Sequence, residues 1–150
     1  MSATTPFAHA PRASAPAATR SDLAALLLRL ALGAMWVSHA LLKLLVYTPA
    51  GTAAFFKGVG LPGALAVPVI AAELLGGAAI LAGWHGRLVS IALLPILLGA
   101  ALVHLPNGWV FTAPGGGWEY PLFLIAISIV HALGDDGAWT LGGRRTRPSL

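Results

Sequence analysis

The chain has 150 residues, of which 57% are hydrophobic and only 9% charged, with a formal net charge of +4 and a mean hydropathy of +0.82. A soluble domain of this length has too little interior to hide that much apolar surface, and soluble proteins carry about 25% charged residues. The composition points to an integral membrane protein and excludes a nucleic-acid footprint, because the basic residues cluster at the ends of apolar segments. The chain has no cysteine, which excludes disulfides, thiolate metal sites, iron–sulfur clusters and a redox dithiol within it.

Residues 1–21 are rich in Ala, Pro, Ser and Thr and lack a periodic apolar face, the composition of a disordered tail. The apolar run 23–46 is too long for the core of a signal peptide and carries Arg29 and Lys43, so it reads as a first membrane helix. Four apolar segments are expected, at 22–47, 60–83, 87–105 and 118–134. Each is near the roughly 20 residues that cross a bilayer core at about 1.5 Å per residue. The turn Trp84-His85-Gly86-Arg87 is too short for anything but an antiparallel hairpin. The fold expected is therefore all-α, a membrane four-helix bundle in up-down-up-down order over residues 22–141, followed by a basic tail at 142–150. Gly76-Gly77 would let helix backbones approach closely. Arg12, Arg20, Arg87, Arg144, Arg145 and Arg147 fall on one side, and Lys57 with a snorkelling Lys43 on the other. Both termini are then expected in the cytoplasm, with the loops at 49–61 and 107–118 outside.

An ionised residue near a helix centre costs about 2.5–3.5 kcal/mol on the insertion scale, so each one needs a reason. At about 100° per residue, Arg29, Gly33, Trp36, Ala40 and Lys43 share one stripe of the first helix, with His39 at its edge. Glu73 lies mid-way along the second. Two readings of Glu73 stand side by side. It forms a buried pair with Arg29 that sets helix register, or it is a proton-handling carboxylate facing a quinone or water-filled pocket.

The stretch 104–121 is the least linker-like part of the chain. Asn107-Gly108 and Pro114-Gly115 are turn dipeptides, and Trp109, Phe111, Trp118 and Tyr120 favour a membrane–water boundary. His104 closes the third helix and Glu119 opens the fourth. His39, Lys43, His104 and Glu119 all fall toward the outer half, beside a loop that reads as a lid or a site. There, His104, Glu119 and Glu73 are the expected proton-handling groups. His39, Lys43, Asn107, Trp109 and Trp118 are expected to bind ligand, and Gly115, Gly116 and Gly117 to present backbone N–H groups. Each also has a purely structural reading: a snorkelling lysine, a histidine at a helix end, a carboxylate at a helix N-terminus, and glycines for tight loop packing. Histidine pairs for haem are poorly matched in depth, and His104 with Glu119 fits no metal-ligand spacing, so no metal is expected.

Gly51-Thr52-Ala53-Ala54-Phe55-Phe56, Gly60-Leu61-Pro62 and Glu73-Leu74-Leu75-Gly76-Gly77, followed by His104 with Asn107-Gly108-Trp109 and by Gly115-Gly116-Gly117-Trp118-Glu119-Tyr120-Pro121, resemble the DoxX family of small bacterial membrane proteins. The resemblance spans residues 26–141. It implies a four-helix protein of the bacterial inner membrane. Some members are linked to oxidoreductase complexes, among them subunits associated with quinone-dependent thiosulfate oxidation and with quinol oxidases. It assigns no catalytic residues. The function expected is a quinone-interacting subunit or accessory of an oxidoreductase complex, with no cofactor of its own and a redox partner protein. The alternative is a non-catalytic anchor, assembly protein or small-solute carrier.

Overall fold

The structure, a computed structural model, describes residues 17–142. Most of both expected tails, with Arg12, Arg144, Arg145 and Arg147, lies outside the described residues. Their regular elements are all helices, with no strand among the described residues.

Helix α1, Arg20–Leu41, starts on a reciprocal cap: the Thr19 hydroxyl accepts from the Asp22 N–H at 3.2 Å, and the Asp22 carboxylate accepts from the Thr19 N–H at 2.8 Å. Such a cap satisfies two otherwise orphaned donors and is worth about 1 kcal/mol. The helix passes into a π-helical turn, Leu42–Val46, and then into a short helix α2, Thr48–Gly58. The span 49–61 was expected to be a loop, and most of it is this helix. After a 3-10 turn at Gly63–Leu65 comes α3, Ala66–Ala82, which stops where Gly83 takes a left-handed conformation with φ +65°. Helix α4, Gly86–His104, leads into the 105–118 loop, and α5 runs Glu119–Leu133.

Among the described residues, three stretches are long and apolar enough to cross a membrane: Arg20–Val46, Gly63–Ala82 and Gly86–Asn107. Helix α5 is apolar but has only 15 residues. The surface agrees with a bilayer setting. Leu27, Leu75, Leu102 and Leu133, one from each of α1, α3, α4 and α5, are 69–78% exposed, while Arg29, Glu73, Ser90, Ser128 and His131 are buried. Water would select the reverse pattern.

Leu32, Trp36, Ile80, Leu93, Leu97 and Leu124 form the core where these four helices meet. Helices α1 and α3 touch backbone to backbone. A Cβ on Gly77 would stand 2.8 Å from the Trp36 Cβ and 2.9 Å from the Val37 nitrogen, and one on Gly33 would stand 3.0 Å from the Gly77 carbonyl. Gly76 turns the other way and seats Leu93 of α4. The expected close approach at Gly76-Gly77 is therefore present, one glycine per neighbour.

Two ends of the bundle can be told apart by what meets there. At one, called here the terminal end, residues 134–142 fold back across the helices: Ala138 N–H donates to Asp22, Leu141 to Ala82 and Gly142 to Gly83. At the other, the loop end, lie the π turn, α2 and the 105–118 loop.

Candidate functional site

At the loop end the π turn sets the geometry. Tyr47 N–H reaches back five residues to the Leu42 carbonyl at 3.0 Å, which fits one extra residue into the turn holding Lys43. Turns of this kind occur often at functional sites. Thr48 follows at φ +60°, a costly conformation for a β-branched residue. The Thr52 hydroxyl donates to the Thr48 carbonyl at 3.0 Å and to the Lys43 carbonyl at 3.4 Å, so α2 braces the turn. Lys43 is thereby aimed inward, and its Nζ lies 2.8 Å from both Glu73 oxygens. The Glu73 side chain is 3% exposed and that of Lys43 21%, so one partner is sealed and the other half-open.

This replaces the expected Arg29–Glu73 pair. The Gly33–Gly77 contact sets α1 and α3 in a register that places Arg29 level with Gly83, where a Cβ would overlap the Arg29 guanidinium. Glu73 lies one turn from Gly77 toward the loop end, opposite the His39–Lys43 turn. Helix α1 starts well below the end of α3, so depth counted from the helix ends misplaces the partner.

His39 sits one turn before Lys43. Its Nδ1–H donates to the Met35 carbonyl at 2.9 Å, which leaves Nε2 as the ring's free acceptor when the ring is neutral. Its ring stacks on Tyr120, with centroids 6.1 Å apart and planes 22° from parallel. Tyr120 opens α5, so this contact carries the Lys43–Glu73 centre across to the last helix.

The 105–118 loop closes on itself. His104 Nδ1 and Asn107 Nδ2 both donate to the Gly115 and Gly116 carbonyls, at 2.9–3.0 Å. Glu119 accepts the Phe111 N–H at 2.7 Å, and the Trp109 and Trp118 rings meet edge to face with centroids 4.5 Å apart. Gly115 and Gly116 hold φ of +82° and +78°, and a Cβ on Gly117 would overlap the Trp109 and Val110 carbonyls. The Gly116 N–H donates to Ala113 at 2.7 Å. The expected site residues thus fall into two sets. Lys43 and Glu73, with His39 beside them, form one. His104, Asn107, Trp109, the three glycines, Trp118 and Glu119 form the other. Consecutive residues Glu119 and Tyr120 join them.

A third cluster, at the terminal end, escaped the sequence reading. His131 Nδ1 lies 2.8 Å from the Ser90 Oγ, and its Nε2 lies 3.3 Å from Asp136 Oδ1. Arg29 Nη2 donates to the Ala138 and Trp139 carbonyls at 3.2 Å each, and Arg87 Nε donates to the Ala132 carbonyl at 2.9 Å. The signal available in the sequence was the pair Ser90 and Ser128, polar residues inside apolar helices, and the Asp135-Asp136-Gly137 turn just after the last one.

With this fold and these clusters in place, residues 24–105 match the DoxX family model. The chain belongs to the DoxX family, a class of membrane protein to which its outward leucines and inward charges are suited. It is 33% identical over 113 residues to the protein named "Putative oxidoreductase CatD" of Bacillus subtilis (strain 168), an alignment covering 75% of this chain and 79% of that protein. No solved structure matches it.

Proposed function

We propose that this DoxX-family protein spans the bacterial inner membrane with four antiparallel helices, α1, α3, α4 and α5, and with both termini in the cytoplasm. In this reading it serves as a quinone-interacting subunit or accessory of an oxidoreductase complex. The observation that carries the reading is the Lys43–Glu73 ion pair, held by a π turn at the loop end. A charged pair in a bilayer setting is costly, and so is the strained Thr48 beside it. Both are easier to account for if the pair handles a ligand. The relative named as an oxidoreductase supports the redox association.

The residues suit a flat, lipid-soluble acceptor with two carbonyl oxygens. Lys43 has three N–H donors and gives two of them to Glu73, so one remains for a ligand oxygen. His39 can take or give a proton at Nε2, Tyr120 offers an aromatic face and a hydroxyl, and Glu73 holds the ammonium in place. On this reading the electrons come from a redox partner protein. The purified protein in nanodiscs should bind a short-chain quinone analogue, with at least tenfold weaker affinity in Lys43→Met and Glu73→Gln variants that keep their helicity. Equal affinity across the three proteins would sink the quinone reading.

One observation favours the alternative of a non-catalytic assembly or anchor protein. His104, Asn107 and Glu119, expected to act on a ligand, all hold loop backbone instead. A rigid, aromatic outer loop suits a docking surface as well as a lid. On that reading the analogue does not bind, and substitutions at Trp109 cost partner association rather than ligand affinity.

A further inference from the structure

The terminal end holds a concentration of buried polar groups for which the loop-end site has no use. Ser90 has no exposed surface, Arg29 is 2% exposed and His131 1%. Arg29 Nε and Nη1 and Ser128 Oγ are buried without a hydrogen-bond partner, while His131 Nε2 and Asp136 Oδ1 face each other at 3.3 Å. An orphaned buried polar group costs about 1–3 kcal/mol, so three such atoms around this pair mark a position that water or another polar group would stabilise. An open cavity of about 240 Å³ lies beside the cluster, with His131 in its lining. It lies between α1 and the end of α5, lined by Ser21, Ala25 and Leu28 on one side and by Val130, His131 and Asp135 on the other, with the His131 ring itself covered. At about 30 Å³ per molecule it has room for several waters.

We propose that His131 is a proton-binding site, filled from the terminal face by water in this cavity, with Asp136 as the counter-ion and Ser90 as the switching partner. The inference is independent of the quinone reading. Only the compartment that supplies the proton, the cytoplasm, rests on the orientation given above.

Charged groups face His131 from every side. Asp135 and Asp136 lie on the segment after α5, Arg29 on α1 and Arg87 on α4. The two aspartates favour an added proton and the two arginines oppose it. The arginines are held in place by backbone carbonyls, whereas Asp136 Oδ1 already lies 3.3 Å from His131 Nε2. In the neutral ring one nitrogen carries a hydrogen. Protonation by a hydronium ion makes one N–H bond and leaves water behind, with no transfer of electrons. Both ring nitrogens then donate, Nδ1–H to Ser90 Oγ and Nε2–H to the Asp136 carboxylate. The Ser90 hydroxyl, now an acceptor, turns its own hydrogen to a carbonyl one helical turn back. The event therefore ties α5 more firmly to the 134–142 segment through Asp136, and resets a hydroxyl inside α4. The row of Asp136, His131 and Ser90 is not an acyl-transfer triad, because the sealed Ser90 oxygen is beyond the reach of a substrate.

Nitrogen-15 NMR of histidine-labelled full-length protein in nanodiscs tests this. One ring should titrate reversibly in the folded protein, and its signals should vanish in His131→Gln. Asp136→Asn, at a partly exposed position, should move the midpoint of that ring at least half a pH unit lower by removing the counter-ion. Ala24→Phe, at an exposed position lining the cavity, should slow proton exchange at the ring at least tenfold with the midpoint retained. If His131→Gln does not fold, the ring that Asp136→Asn shifts identifies the same residue. A ring that stays neutral until the protein unfolds overturns the proposal. So does a midpoint indifferent to Asp136→Asn, or an exchange rate indifferent to Ala24→Phe.

Discussion

Lys43 and Glu73 pose the sharpest question a single residue can ask here: whether each is present for the other. A half-open ammonium and a sealed carboxylate are strongly coupled, and removing either one strands a charge inside the bundle. Glu73→Ala and Lys43→Met should each destabilise the protein by about 2–4 kcal/mol, and the double variant should recover at least about 1 kcal/mol of the summed loss. Unfolding of the four proteins in detergent measures the cycle. The same cycle between Arg29 and Glu73 should be additive, because Arg29 bonds to Ala138 and Trp139 instead. At Gly116, φ of +78° makes the residue type matter in another way. Gly116→Ala should cost about 1–2 kcal/mol of local loop stability, read as faster amide exchange at Trp118 and Glu119.

Among the elements, the π turn and the glycine contact do what no single side chain does: they decide which side chains meet. Deleting Leu42 restores regular α geometry and turns Lys43 by about 100° around α1. The charge is kept and its direction lost, so the deletion should reproduce the Lys43→Met phenotype in both stability and analogue binding. Wild-type behaviour of the deletion would show that the turn is incidental. Gly77→Ala pushes a methyl against the Val37 nitrogen, which is backbone and has nowhere to go, and should cost about 1–3 kcal/mol. Gly99→Ala, where nothing lies within 4 Å, is the matched control and should be neutral or slightly stabilising.

These two elements also mark where the sequence stopped being readable. The apolar segments were legible because twenty consecutive lipid-compatible residues have few other uses, and the DoxX motifs named the family from short patterns in order. Helix α2 was not legible: Gly51, Gly58 and a run of small residues look like a loop until the bundle supplies Lys43 and Thr48 carbonyls for Thr52 to bind. The partner of Glu73 was not legible either. It depends on a relative shift of two helices that only the Gly33–Gly77 contact fixes. His104, Asn107, Glu119 and the glycines were singled out as unusual, and what makes them unusual is the self-bonded loop. The Ser90–His131–Asp136 row was hidden because its members come from α4, α5 and the segment after it, with no spacing to betray them.

For the whole molecule, orientation is the property most directly open to test. The cysteine-free chain allows single-cysteine labelling without further engineering. A cysteine at Thr112 should react with an impermeant reagent from the periplasmic side, and one at Thr140 only after the membrane is opened. The opposite pattern would invert the topology and move the water supply of His131 to the other compartment. The shortness of α5 has a consequence of its own. Its 15 residues make a rod about 22 Å long, against a hydrocarbon core of about 30 Å. As the proposed fourth span it would leave a hydrophobic mismatch on one side of the bundle, so that the lipids beside it would thin or a partner would cover it. Reconstituted alone, the protein should be most stable in short-chain lipids and should cluster as the acyl chains lengthen. Addition of a partner that docks along α5 should abolish that dependence on thickness.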